Sequence, residues 1–280
     1  MPINWFPGHM VTARKDALVA MRQTDVVIEV LDARVPHASC NPLVETLRRE
    51  NQRPALKILN KVDLADGALT KAWLAFYNAR PATRAIALSA KNRGDVARIF
   101  AECSALVPGR ATLQKPLRMM ILGIPNVGKS TLMNTLLKRK VAKVGDEPAI
   151  TKMHMRHEID STMWLVDTPG MLWPGVEQSV ALKLAMTHSI GRNAYEDADV
   201  AIPLADYLMK EYPKLIPARF AGVPAGADGT AVLTAIALAR NFVARGSGPD
   251  VTKAASVLLN EFRNGVLGRV TLETPEAFAP

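Results

Sequence analysis

"RMMILGIPNVGKSTLMNTLLKRK", residues 118–140, is the stretch that decides how this chain is read. An apolar run ends in a glycine loop of the form GxxxxGKS, and a helix-like segment follows directly. Strand, loop and helix in that order are the context a phosphate cradle needs, because backbone N–H groups of the loop and the positive end of the helix both face the anion. Lys129 is then placed to reach the β- and γ-phosphates and Ser130 to hold magnesium. Asn126, Val127, Gly128 and Thr131 complete the nucleotide-binding loop. A chance glycine turn is the competing reading, and the flanking strand and helix argue against it.

Four more short apolar runs, "VVIEVLDAR" (26–34), "ALKILNKVD" (55–63), "RAIALSAK" (84–91) and "TMWLVDTPG" (162–170), end in polar or turn-forming residues. This pattern predicts an α/β fold with a mostly parallel sheet, whose ligands sit at the carboxyl ends of the strands. The motifs fall at those ends. In DTPG, Asp167 is placed to hold magnesium through water and the Gly170 amide to sense the γ-phosphate, although the same four residues also make an ordinary turn. In NKVD, Asp63 can accept from guanine N1–H and the exocyclic amine together, with Asn60 at the base edge and the stem of Lys61 over the ring. Adenine lacks that donor pair, so the motif selects GTP over ATP. Ser89, Ala90 and Lys91 form SAK, whose Ala90 amide would support the guanine oxygen. Thr151, between the phosphate loop and DTPG, is either the threonine that completes the magnesium shell or a solvent loop residue.

In chain order these elements run base recognition, base support, phosphate loop, first switch, second switch. An unpermuted GTPase has the phosphate loop and switches first, so the chain reads as circularly permuted. "PGRATLQKP" (108–116) is the surface connection that joins the old termini. Beyond residue 176 strand-like runs stop and helical periodicity takes over. The expected domains are 1–176, carrying the nucleotide site, and a helical 177–280.

The 280 residues carry a net charge of +9, and its distribution is uneven. Residues 1–115 hold 17 basic and 10 acidic side chains, 116–177 hold 8 and 6, and 178–280 hold 10 and 10. An excess in the first half suits a polyanionic partner and equally a solvated basic surface. Cys40 and Cys103 have no metal-type spacing, which argues against a disulfide or zinc framework. No leader-like or membrane-length apolar run is seen, and the expected location is cytoplasmic.

"FPGHM" (6–10), "LDARVP" (31–36), NKVD, SAK, "GIPNVGKSTLMN" (123–134), the threonine of "AITK" and "DTPGMLWP" (167–174), in this order, resemble the circularly permuted GTPases of the YlqF/YawG group. "LLNEFRNGVLGRVTLETP" (258–275) resembles that group's C-terminal helical ending. The resemblance implies a circularly permuted Ras-like P-loop GTPase domain followed by a small all-helical domain that binds RNA or the ribosome. It implies an enzyme turning GTP into GDP during assembly of the large ribosomal subunit. Such a factor binds the subunit precursor and its rRNA in the GTP state, is stimulated by that particle and leaves after hydrolysis. It is expected to act as a monomer, with neither membrane nor DNA among its partners. The competing function is a regulatory GTP-dependent switch acting on another RNA or protein.

Apolar Met171 stands where many GTPases carry a water-orienting glutamine. The resemblance favours His9 for that task, either orienting water or accepting its proton; the alternative is a His9 that caps a turn or touches RNA. The resemblance also assigns Asn126 to potassium binding beside the phosphates, against an asparagine that serves only its turn. Arg34 is read as an RNA contact, an anchor for the N-terminal segment or one half of an internal salt bridge. Two departures from the group's pattern are Ala149 before the switch threonine and Met171 itself.

Overall fold

The apolar runs become strands of one six-stranded sheet in the computed structural model, which describes residues 17–137, 155–168, 170–244 and 248–278. His9 and Thr151 lie outside these residues, as does Pro169 of DTPG. β1 (Val26–Asp32) and β2 (Ala55–Asn60) are buried along their whole length, as strands covered on both faces are. With β3 (Thr83–Ala87), β4 (Leu117–Leu122), β5 (Met155–Asp160) and β6 (Met163–Asp167) they stand in the order β3-β2-β1-β4-β6-β5. Every neighbouring pair is parallel except β5 with β6. β5 is not among the strands read from the sequence. Its "MRHEID" is charged at every second position, and an edge strand needs no continuous apolar run.

The chain runs from the centre of the sheet to one edge through β1, β2 and β3, then returns to the centre as β4 and continues to the other edge. β1 and β4 are therefore paired although two strands separate them in sequence. This is the permuted order expected from the motifs. The register lines up the strand ends: Asp32 stands opposite Asn60, Leu59 opposite Ala87, and Ile121 opposite Asp167. All five motif loops consequently leave the sheet at the carboxyl ends of its parallel strands.

Helices α1 (Pro42–Glu50) and α2 (Gly67–Asn78) connect β1 to β2 and β2 to β3. Asn41 caps the first, accepting from Leu43 N, and Asp66 caps the second, accepting from Ala68 and Leu69 N. After β3 come the short α3 (Arg93–Val96) and α4 (Arg98–Leu106), and the segment from there to β4 closes the permutation. Asp25 pins it in place. Its carboxylate accepts from Arg118 N at 2.9 Å, Nε at 3.1 Å and Nη2 at 3.0 Å, and lies 3.1 Å from the Arg110 guanidinium. Burial pushes the Asp25 carboxyl up, but Arg118 and Arg110 outweigh it and hold it below its ordinary value.

The second unit runs from Glu177 to Leu272. It contains α6 (Gln178–Met186), α7 (Asp197–Glu211), α8 (Leu215–Arg219), α9 (Gly229–Ala239) and α10 (Val251–Arg263); α5 (Lys129–Leu136), at the phosphate loop, belongs to the site below. Val200, Ala201, Leu204, Ala205 and Leu208 form the buried stripe of α7, against which α9 and α10 pack. Arg263 donates to the carbonyls of Ala185 and Met186, closing the C-terminal end of α6.

The helical unit ends earlier than the expected 280. Residues 273–278 group with the sheet unit, because Glu273 accepts hydrogen bonds from the backbone there and Phe278 stacks on His37. Among the described residues, no helix is long and apolar enough to cross a membrane.

Candidate functional site

The phosphate loop is shaped by close approach and by left-handed backbone. A Cβ on Gly123 would come within 2.9 Å of the Val30 carbonyl and 3.0 Å of the Val127 side chain. Asn126 adopts φ +60° and Gly128 φ +96°, which turns the chain into α5 (Lys129–Leu136). A Cβ on Gly128 would also collide with the Asn60 amide nitrogen. Lys129 is buried at the start of α5, and its ammonium lies 2.5 Å from Asp167 Oδ1 at the end of β6. Ser130 and Thr131 follow in the same first turn, partly buried.

The DTPG segment rests on this loop. Thr168 Oγ1 donates to the Ile121 carbonyl at 2.8 Å, and Met171 N donates to the Gly123 carbonyl at 3.3 Å. The Gly170 position is so close to Pro125 that a Cβ would sit 3.3 Å from its backbone. Met171 is buried with Val27, Met120 and Leu122, and its carbonyl accepts from Asn41 Nδ2 at 3.1 Å. The residue after DTPG is thus a core anchor that fixes where this segment ends.

The base-reading motifs join the phosphate loop through two side chains. Asn60 Nδ2 donates to the Val127 carbonyl at 2.8 Å, while Asn60 Oδ1 accepts from Ala90 N at 2.8 Å. Both ends of that amide are engaged within the protein, so Asn60 braces the two motifs with one amide hydrogen and one oxygen lone pair. The Ala90 amide is likewise held by Asn60, and the Ala90 carbonyl accepts from Thr135 Oγ1 of α5 at 3.1 Å. Lys61, at φ +64°, places its ammonium 2.6 Å from the Asn126 carbonyl and 2.9 Å from Asp32 Oδ2. Its stem is thereby stretched between the end of β2 and the phosphate loop. Burial pulls the Lys61 ammonium below its ordinary value, opposed chiefly by the Asp32 carboxylate.

Asp63 keeps an exposed carboxylate, 3.3 Å from Lys91 Nζ. Burial raises its pKa, but Ser89, its own backbone and Lys91 together outweigh that and hold it below the ordinary carboxylate value. An ionised carboxylate, with two acceptor oxygens, is what the guanine N1–H and amine pair requires.

Asp32 is the member of the site that sequence reading missed. It is fully buried, accepts from Arg34 N at 3.0 Å, Nε at 2.9 Å and Nη2 at 2.7 Å, and also holds Lys61. Burial pushes its carboxyl up, but the charges of Arg34 and Lys61 prevail and hold it far below the usual range. Arg34 is therefore one half of an internal salt bridge. The signal that could have found Asp32 was its place at the end of β1, level with Asn60.

The comparisons with known proteins bear on this assembly. Residues 118–219 match the family model described as 50S ribosome-binding GTPase, which begins at the phosphate-loop strand and leaves NKVD and SAK upstream of the match. The chain is 37% identical to ribosome biogenesis GTPase A of Bacillus cereus over 99% of this chain and 96% of that protein. It is 34% identical to the protein of the same name from Priestia megaterium, over 98% of each. Among solved structures it is similar to GDP-bound YlqF, with a TM-score of 0.69 and 25% identity over 94% of this chain and 98% of that one. GNP-bound YlqF from T. maritima gives 0.65 and 26%, over 95% and 99%. A permuted sheet with its base and phosphate motifs at the carboxyl ends of its strands, and likeness along nearly the whole length, place the chain in the ribosome biogenesis GTPase A family.

Proposed function

We propose that this GTPase is an assembly factor for the large ribosomal subunit, binding the precursor and its rRNA in the GTP state and leaving after particle-stimulated hydrolysis. The observation that carries the nucleotide part is the Asn60 brace. One side chain ties NKVD to SAK and to the phosphate loop, so Asp63 and Lys129 serve one ligand. The family supplies the ribosomal part, and the basic first half of the chain agrees with an RNA partner.

In this reading Asp63 holds the guanine edge and Lys61 presents its stem to the ring, with Ser89, Ala90 and Lys91 closing the base side. Val127, Gly128, Lys129, Ser130 and Thr131 cradle the phosphates. Lys129 exchanges the Asp167 carboxylate for phosphate oxygens, stabilising charge that develops on the transferred group. Gly170 senses the γ-phosphate from its place beside Pro125. His9 orients the attacking water or accepts its proton, a task that buried Met171 is unable to perform.

Magnesium fits the donor set. A hydroxyl and a carboxylate are hard oxygen ligands, and magnesium carried by nucleotide phosphates needs only one or two such groups from the protein. Ser130 and Asp167 supply them, with Thr151 completing the shell. Asn126 would hold potassium, whose charge beside the phosphates does the work of an arginine finger.

GTP turnover with and without purified large subunits, in potassium and again in sodium, tests the proposal. Stimulation by subunits that is greater in potassium is the expected result. Turnover indifferent to subunits, together with no co-sedimentation in a non-hydrolysable GTP analogue, would reject the ribosomal role; equal rates in the two salts would reject the potassium site.

A further inference from the structure

The last described residues of the chain return to a specific place. Glu273 is buried, and its carboxylate accepts from His37 N at 2.7 Å and from Ala38 N at 3.2 Å. Its own carbonyl accepts from Trp73 Nε1 at 3.1 Å. Phe278 stacks on the His37 ring with centroids 3.7 Å apart and lies 5.8 Å from the Trp73 ring. A buried carboxylate is costly unless its oxygens are used, and here they are used on the loop that follows Asp32.

That loop leads to the nucleotide. Ser39 Oγ accepts from Asp32 N at 3.0 Å and donates to the Val35 carbonyl at 2.7 Å. Asp32 in turn holds Lys61, and Lys61 reaches the Asn126 carbonyl of the phosphate loop. Hydrogen bonds and an ion pair, joined by the backbone of residues 37–39, therefore connect residue 273 to the phosphate loop through Asp32 and Lys61. Of LDARVP only Asp32 has been placed in the site, and the closing ETP has no role there; this run uses both.

We infer that Glu273 and Asp32 are positioning residues, and that Glu273–Phe278 is a strap setting guanine-nucleotide affinity. The helical unit ends at Leu272, covalently joined to the strap, and it begins at Glu177, shortly after the second switch. A partner that loads the helical unit pulls on Glu273, loosens the 32–39 loop and lets Lys61 drift from Asn126. The bound nucleotide weakens as a result. By linkage the effect is reciprocal, so nucleotide binding tightens the strap. This rests on the reading that Lys61 and Asp63 hold the base.

Two measurements on the full chain test it. In the unaltered protein, GDP is expected to slow hydrogen exchange at the His37 and Ala38 amides. In E273Q, affinity for a fluorescent methylanthraniloyl-GDP is expected to fall about tenfold, raising KM for GTP with kcat at saturation unchanged. Should E273Q not fold, F278L carries the same expectation. Exchange at those amides that ignores GDP, or wild-type affinity in a folded strap variant, overturns the inference. D63N separates the two layers: it should shift preference from guanine to xanthine nucleotide, and its failure to do so would reject the base reading rather than the strap.

Discussion

Lys129 and Asp167 form a buried ion pair, with ammonium and carboxylate oxygen 2.5 Å apart. Each is assigned to a different part of bound GTP, the lysine to phosphate and the aspartate to magnesium, so the pair must open for the ligand to enter. Lys129→Ala removes the cation that meets the phosphates and leaves the Asp167 charge buried. Turnover is expected to fall by about 10²–10³-fold, the loss typical of one transition-state donor. Asp167→Asn acts through water and should raise the magnesium needed for half-maximal turnover by about 10–100-fold. Single-turnover hydrolysis across a magnesium titration checks both, and a lysine variant with unchanged turnover would remove Lys129 from the mechanism.

Asp32 makes stability depend on acid. Its folded pKa is held below the ordinary 3.8 by Arg34 and Lys61 in spite of burial. A depressed folded value means that the stabilisation is fully present above the ordinary value and is lost as pH falls through 3.8 toward the folded one. Asp32→Asn should therefore flatten the decline in stability below about pH 4. It also leaves two cations without their carboxylate, which is expected to cost about 3–5 kcal/mol at neutral pH. Denaturant midpoints from pH 2 to 7 for both proteins decide the matter, and parallel curves would contradict it.

What could be read from sequence was local chemistry. NKVD, SAK, GxxxxGKS and DTPG each keep their residues within a few positions at a strand end, so the permuted order of motifs and a mostly parallel sheet followed from spacing. The Asn60 brace was not readable, because its partners Val127 and Ala90 are brought close only by the sheet. Lys57 and Glu29 were visible as charges inside apolar strands, but their pairing needs the β1–β2 register that sets them opposite each other. The return of Glu273 was hidden for another reason: "ETPEAF" has no periodicity, and its anchors lie at His37, Ala38 and Trp73.

The Glu29–Lys57 pair yields a prediction about the core. Lys57 is fully buried, its ammonium 2.5 Å from Glu29 Oε2, 3.2 Å from Cys40 Sγ and 3.7 Å from Glu45. Lys57→Met leaves two carboxylates around an apolar side chain and is expected to cost about 3–5 kcal/mol. Glu29→Gln alone strands the ammonium but keeps an acceptor for Asn41 N. The double variant removes both charges and should cost about 1–3 kcal/mol less than the sum of the singles. Urea unfolding of the four proteins measures the coupling, and strict additivity would mean that the pair does not act as a unit.

Gly128 and Asn60 test whether the base and phosphate motifs act as one site. Gly128 has φ +96°, and a Cβ there would meet the Asn60 amide nitrogen that donates to Val127. Gly128→Ala therefore adds about 1–2 kcal/mol of backbone strain and also displaces Asn60 from Val127 and Ala90. GDP affinity should fall by at least about tenfold, equivalent to 1.4 kcal/mol. Asn60→Ala breaks the same brace while leaving room for the methyl group. If the brace is what the methyl disturbs, Gly128→Ala in the Asn60→Ala background should weaken GDP binding less than it does in the native chain. Calorimetric titration of GDP into the four proteins gives the comparison, and an equal loss in both backgrounds would show that Asn60 does not couple the two motifs.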